Sequence, residues 1–378
     1  MNSVLIFYGS KLEFEKLIPK DNTRNLTDVV MEVDSENREF TLKLPDKNCL
    51  ESSEKEKPAK EKVYIENLVI GSSEYAGVKE HVILNFANFI AKLDIRNLYL
   101  HNPPLQISNQ LERIFPAAKI EKQTYKTFTT KDIKQFSSLF DERIKGQDSV
   151  KRGLLKTIFP LTTGKREKPI VVLFYGDTGL GKTETAKILS EVLDEKLFRK
   201  QFSMFQNNQF ATYLFGGAHF EKSFAKDLLD RESNVILLDE FDKANAIFHS
   251  AFYQLFDDSI FEDQNYHLEL KNSIIICTSN YKTVDEIKAQ LGNAIFSRFD
   301  AVIKFETLSD EAKSEIAQIQ YTKKLELFSN DQVVRIEERN IKESLLNQCR
   351  RCSNAREIGH LIEQTFSLIL IQDELGYA

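Results

Sequence analysis

The residues with the clearest chemistry are Gly176-Asp177-Thr178-Gly179-Leu180-Gly181-Lys182-Thr183. They fit G-x-x-x-x-G-K-[ST] at every fixed position. Glycines let the backbone curl until its N–H groups face phosphate oxygens. An ammonium at Lys182 suits the β- and γ-phosphates of ATP, and a hydroxyl at Thr183 suits Mg²⁺. The context fits as well. Ile170-Val171-Val172-Leu173-Phe174-Tyr175 is a continuous apolar run, as a buried parallel strand should be. From Glu184 to Leu193 the apolar spacing predicts a helix whose N-terminus adds a favourable dipole.

A second apolar run, Val235-Ile236-Leu237-Leu238, ends in Asp239-Glu240. The first acid is suited to Mg²⁺ through water, and the second to polarising an attacking water. A third run, Ile274 to Ser279, ends in Asn280. An amide at the carboxyl end of a neighbouring strand could orient that water. By itself, such an Asn is as readily a turn residue.

These loops need a sheet with helices around it. The expected fold class is α/β: a doubly wound parallel P-loop sheet over residues 128–307, followed by a helical lid over 308–378. Ser309 is placed to cap the first lid helix, and Asn354-Ala355-Arg356-Glu357 reads as a capping box for the last. Residues 1–127 read as a separate small α/β domain. Its strands are Val4–Tyr8, Val63–Ile70, Asn97–His101 and a stretch near Ile120. Helical spacing links Val82, Ile83, Phe86, Phe89, Ile90 and Leu93. The stretch Glu51–Lys62, charged and without large apolar side chains, reads as a solvated connector.

At 378 residues the chain is too long for one ordinary core. A net charge of −6 weighs against a general nucleic-acid binder. No apolar run is long enough to span a membrane. Cys49, Cys277, Cys349 and Cys352 suggest reduced thiols and a cytoplasmic setting. Cys349-Arg350-Arg351-Cys352 lacks the second pair that a zinc site needs, and the six histidines form no paired motif.

Taken in order, several motifs resemble the second ATPase domain of the ClpA/ClpB unfoldases, from about Thr130 to the end of the chain. They are Phe140–Asp148, the P-loop, Asp239–Ala244, Phe252–Asp258 and Lys271–Asn280. The resemblance implies an AAA+ ATPase using ATP and Mg²⁺. It implies that Ile144 lies on the adenine side, that Asn280 is the first sensor, and that Arg298 is an arginine finger offered to a neighbouring subunit. Arg356 resembles the second sensor, although Asn354 stands where the family has Gly. Counting back from Asp239 puts the family's polypeptide-gripping aromatic at Phe215, before Gly216-Gly217, with Tyr213 in an alternative register. In that reading the glycines let the loop move. No Ile-Gly-Phe or Ile-Gly-Leu occurs between Tyr281 and Ser297, so docking on a barrel protease is not expected.

The expectation is therefore a protein-remodelling motor of the Clp type that works as a homo-oligomeric ring, a hexamer, on protein clients. The N-terminal domain would select clients or partners. A nucleic-acid motor or loader on the same fold is the rival, and a non-enzymatic nucleotide switch the third reading. Glu240 speaks against the switch; the aromatic loop and the acidic charge speak against nucleic acid.

Overall fold

The computed structural model describes residues 1–32, 62–204, 209–244 and 246–376. Apart from Lys62, the charged stretch Glu51–Lys62 lies outside these residues, as does Cys49. The chain forms two compact units, each with its own parallel sheet and surrounding helices. One comprises Met1–Thr124, Asn208–Glu232 and Phe261–Leu268; the other comprises Tyr125–Asn207, Ser233–Ile260 and Glu269–Ala378.

The first unit is built on strands β1 (Ser3–Tyr8), β2 (Thr23–Asn25), β3 (Tyr64–Ile70), β4 (Asp94–His101) and β5 (Lys119–Lys122). They form a sheet in the order β2-β3-β4-β1-β5, with every pair parallel. Ile6, Leu68, Leu98 and Leu100 are fully buried at its centre. The helical spacing from Val82 to Leu93 resolves into two short helices, Glu80–Leu84 and Phe86–Ala91. The break is Asn85, at φ −124° and ψ 36°. Ile83, Phe86 and Ile90 still meet one core because the bend preserves their common face.

The second unit is organised by β6 (Ile170–Tyr175), β7 (Phe198–Gln201), β8 (Val235–Asp239), β11 (Ile274–Thr278) and β12 (Ala301–Lys304). Between β8 and β11 in sequence come the short paired strands β9 (Ile260–Glu262) and β10 (His267–Glu269). The order of the main sheet is β12-β6-β11-β8-β7, again all parallel. Every residue of β6, β8 and β11 is buried, which is what their uninterrupted apolar runs require when helices cover both faces. β7 and β12 did not stand out in the sequence. β7, Phe198-Arg199-Lys200-Gln201, is a polar strand on the sheet's edge.

Helix 130–143 starts with a full capping box between Thr129 and Asp132. Its Arg143 makes a two-pronged ion pair with Glu191 at 2.6 and 2.7 Å, bracing it against the helix that follows the P-loop. Four helices follow the sheet: Asp310–Leu325, Asn330–Glu338, Lys342–Cys349 and Ala355–Leu375. Ser309 caps the first, as its position suggests. The last is capped by Asn354, whose Oδ1 accepts from the Arg356 and Glu357 amides. The expected reciprocal bond falls one residue earlier: the Glu357 carboxylate accepts from the Ser353 N–H at 2.7 Å. Among the described residues, no helix is long and apolar enough to cross a membrane.

Candidate active site

β6 delivers the chain into the glycine loop, and the loop's shape depends on missing side chains. Gly176 has φ +124°, and a Cβ there would lie 2.6 Å from the Phe305 carbonyl oxygen. Gly179 has φ +74°, and a Cβ would meet Asn354 Oδ1 at 2.7 Å. Both positions combine a conformation that L-residues avoid with close approach of a neighbour. The Ala355 N–H also donates to the Gly179 carbonyl at 3.2 Å, so the last helix is tied to the loop at its first residue. That contact gives Asn354 a local role.

Lys182 opens the helix Lys182–Val192 and is 8% exposed. Its Nζ donates to the Gly176 carbonyl, to the Asp177 carbonyl at 2.9 Å and to Asn280 Oδ1 at 3.2 Å. Burial pulls its pKa down to about 8, against the pull of Asp239, Asp242, Asp177 and Glu240. An ammonium held among carbonyls with its charge penalised gains when anionic phosphate arrives.

Asp239 ends β8. Its Oδ2 accepts from Arg199 Nε at 3.0 Å and Nη2 at 2.5 Å, and its Oδ1 accepts from the Thr278 hydroxyl at 2.5 Å. Thr278 Oγ1 in turn accepts from the Glu240 N–H at 2.9 Å. One hydroxyl on β11 thus fixes Asp239 at the end of β8 and Glu240 just beyond it. Glu240 itself sits at φ +55° and ψ +45°, a left-handed conformation unusual for its residue type and typical of functional sites. Its Oε2 accepts from Gln201 Nε2 at 3.0 Å. Hydrogen bonds from Ser203 and Gln201 hold its carboxyl below the ordinary range, so it is ionised at neutral pH.

These groups face one cavity of about 940 Å³. Thr178, Gly179, Leu180, Gly181, Lys182, Thr183 and Glu184 line one wall. Arg199, Gln201, Asp239, Glu240, Thr278 and Asn280 add polar groups to the lining. The lining also includes the apolar side chains of Ile144, Leu180, Leu308, Ile316 and Ile319, which suit a flat base. Arg356, in the first turn of the last helix, also reaches the cavity.

Of the residues singled out in the sequence, then, Ile144, the loop from Thr178 to Glu184, Asp239, Glu240, Asn280 and Arg356 line one cavity, while Gly176 and Asp177 touch it only through their carbonyls on Lys182. Arg298 and Phe215 do not line this cavity. Arg298 Nε donates to Asp257 Oδ2 at 2.8 Å, Nη1 to the Ala294 carbonyl at 2.6 Å, and the guanidinium stacks 4.2 Å from the Tyr253 ring centre. Phe215 belongs to the other compact unit, at the end of the helix Gln209–Phe215, and is 43% exposed. Tyr213 is buried, its hydroxyl donating to Asp227 at 2.6 Å.

Arg199, Gln201 and Thr278 were missed in the sequence. Thr278 is two residues before Asn280 in a run read only as apolar. Arg199 and Gln201 share a strand too short and polar to register. Their alternation, with Arg199 and Gln201 on one face, was the available signal.

The fit to Mg²⁺ rests on the donor set. The Thr183 hydroxyl and the Asp239 carboxylate are hard oxygen donors lining the same cavity, and Asp239 Oδ1, which accepts one bond, from Thr278, keeps lone-pair capacity. Among the described residues no group of three or more His, Cys, Asp or Glu is arranged to hold a metal alone.

Residues 167–347 match the model of the AAA domain (Cdc48 subfamily). Similar curated proteins include the chaperone protein ClpB of Malacoplasma penetrans, 29% identical over 201 residues, and that of Mycoplasmoides gallisepticum, 30% identical over 210. The ClpB of Clostridium perfringens is 27% identical over 233 residues. These alignments cover 47%, 50% and 53% of this chain but only 28%, 28% and 26% of the relatives. The matched stretch thus spans only about a quarter of each relative's length. Over residues 167–347, the stretch that holds the glycine loop, Asp239, Glu240 and Asn280, the chain carries a ClpB-like AAA+ ATPase domain.

Proposed function

We propose that the chain hydrolyses ATP with Mg²⁺ and uses the energy to remodel or unfold protein clients, as a cytoplasmic homo-oligomeric ring, a hexamer, without a barrel protease. The observation that carries the ATPase part is the meeting of Lys182, Asp239, Glu240 and Asn280 in the lining of one cavity. Loop N–H groups and Lys182 bind the phosphates. Asn280, whose Oδ1 accepts from the Lys182 ammonium, would act on the terminal phosphate or its attacking water. Glu240 orients a water and takes its proton as the water oxygen attacks the γ-phosphorus and the β–γ bridging oxygen leaves with ADP. Thr183 and Asp239 would hold Mg²⁺, which when bound neutralises phosphate charge. Positioning and charge neutralisation account for most of the rate.

The ring rests on Arg298. Its guanidinium is held by Asp257 and Tyr253 outside its own cavity, which supports action on a neighbour's phosphate. Action on protein is supported by the ClpB relatives, which are named chaperones, and by the exposed aromatic at Phe215.

Phosphate release and nucleotide titration by the purified chain test this reading. Lys182→Ala is expected to lose tight binding. Glu240→Gln is expected to bind normally and turn over about 10²- to 10⁴-fold more slowly. Phe215→Ala should keep basal turnover and lose ATP-driven unfolding of a tagged protein. Wild-type turnover in Glu240→Gln would remove the assignment of the water-activating acid. Stimulation by DNA or RNA and never by unfolded protein would replace the unfoldase reading with a nucleic-acid motor.

A further inference from the structure

Residues 208–232 and 261–268 lie, in sequence, inside the stretch matched by the AAA model, yet they fold into one compact unit with residues 1–124. The joint is polar and specific. Asp230 Oδ1 accepts from the Lys11 N–H at 2.8 Å. The ring Nε2–H of His219, itself buried, donates to the Val78 carbonyl at 2.8 Å. The Leu105 N–H donates to the Asn265 carbonyl at 2.8 Å. Three bonds from three separate parts of the N-terminal sheet unit thus hold two separate segments.

The two segments are also locked to each other. Asn265 Nδ2 donates to the Gly217 carbonyl at 2.9 Å, and the Gln264 N–H to the Phe215 carbonyl at 3.2 Å. A Cβ at Gly217 would fall 1.7 Å from Glu221 Oε2 and 2.6 Å from Thr212 Cγ2. At Gly216, φ is +80° and a Cβ would approach the Gln264 nitrogen to 2.9 Å. The sequence reading gave these glycines to loop movement; the packing shows Gly216 serving close approach of Asp263 and Gln264, and Gly217 close approach of Glu221 and Thr212.

The site of the joint is informative. Open parallel sheets bind ligands outside the carboxyl ends of their strands, where the connection reverses. Here β1 lies between β4 and β5, and its carboxyl end carries Gly9. That edge is already filled. The Gly9 carbonyl accepts from His101 Nε2 and Asn102 Nδ2, and the Gly9 N–H donates to Asn102 Oδ1. Asp230 closes the same edge at Lys11.

We propose that this strand edge is a docking surface whose occupant is a segment of the same chain, residues 209–232 with the 261–268 turn. Phe215 then moves as part of one body with the N-terminal sheet, and not as a free loop. The statement about grip rests on the proposed protein-remodelling function; the docking itself does not.

Hydrogen exchange on the full chain separates the two. In wild type, peptides covering 209–232 and 94–105 are expected to change together, or both stay constant, between ADP and a non-hydrolysable ATP analogue. In the double variant Asp230→Ala/His219→Ala, exchange should speed up about tenfold or more in 209–232 and 3–15 alike, with 170–193 unchanged and basal ATPase retained. Asp230→Asn, which keeps an acceptor oxygen for the Lys11 N–H, should stay near wild type. If the double variant fails to fold, the wild-type nucleotide comparison still decides. A nucleotide response confined to 209–232, or loss of protection there with 3–15 unaffected, would overturn the docking. An intact joint with no unfolding of any tagged protein would instead remove the remodelling function.

Discussion

Arg199 turns both Nε, at 3.0 Å, and Nη2, at 2.5 Å, onto the same carboxylate oxygen of Asp239. The aspartate is 7% exposed, so without this cation its charge would be left with the Thr278 hydroxyl and the pull of the Lys182 ammonium. Arg199→Gln is therefore expected to lower kcat about 10- to 100-fold, the usual cost of losing a group that orients a metal-binding side chain. The Mg²⁺ concentration needed for half-maximal rate should shift, while binding of a fluorescent ADP without metal changes little. Arg199→Lys should recover only part of the rate, because an ammonium cannot copy the fork. An unchanged rate and metal dependence would mean that Arg199 is a bystander.

Thr278 serves two partners with one oxygen, donating to Asp239 and accepting from the Glu240 N–H. Thr278→Val keeps the volume and removes both bonds inside a buried strand. The expected loss is about 1–3 kcal/mol of stability, read from urea unfolding, as for a buried polar group left unsatisfied. Turnover should fall with it, since Glu240 then loses a restraint on its left-handed backbone. Thr278→Ser should restore most of both.

Arg298→Ala should leave ATP binding intact and slow hydrolysis about 10³- to 10⁵-fold, the span usual for arginine fingers. Mixing these subunits with Glu240→Gln subunits should return part of the activity wherever an interface pairs an intact Glu240 with an intact Arg298. Light scattering that finds a monomer with every nucleotide would end the trans assignment.

Stability should fall as pH drops below the ordinary histidine value of 6.5. Burial lowers the pKa of His101. The Gly9 carbonyl and Asp230 oppose that shift, while Lys11 and Lys226 add to it. With the folded pKa below the unfolded one, the unfolded chain takes up the proton first. Stability is thus complete above pH 6.5 and is lost as pH falls through the window below it. His249, also lowered by burial, acts in the same direction. Glu191 and Glu363, whose pKa values are lowered by Arg143 and Lys324, contribute only below their ordinary 4.5. Melting temperatures between pH 7.5 and 5 should show the slope, up to about 1.4 kcal/mol per pH unit for each histidine. His101→Gln should flatten it.

The phosphate loop, Asp239-Glu240 and Asn280 were legible because each is local. A loop of glycines and a lysine, or an acid at the end of an apolar run, states its chemistry within a few residues. The same holds for β6, β8 and β11, whose full burial leaves no polar residue to break the run before its end. Arg356 and Ile144 were readable only by resemblance, because nothing in their own neighbours points to a cavity.

Tertiary structure alone decided what holds those groups. Arg199 meets Asp239 from 40 residues away and Thr278 from 39, contacts that exist only once β7, β8 and β11 lie side by side. It also decided that 208–232 and 261–268 fold with residues 1–124. A sequence announces a motif when neighbouring residues carry the chemistry. It is silent when the chemistry depends on one hydrogen bond, such as Lys11 to Asp230, closed across 219 residues of chain.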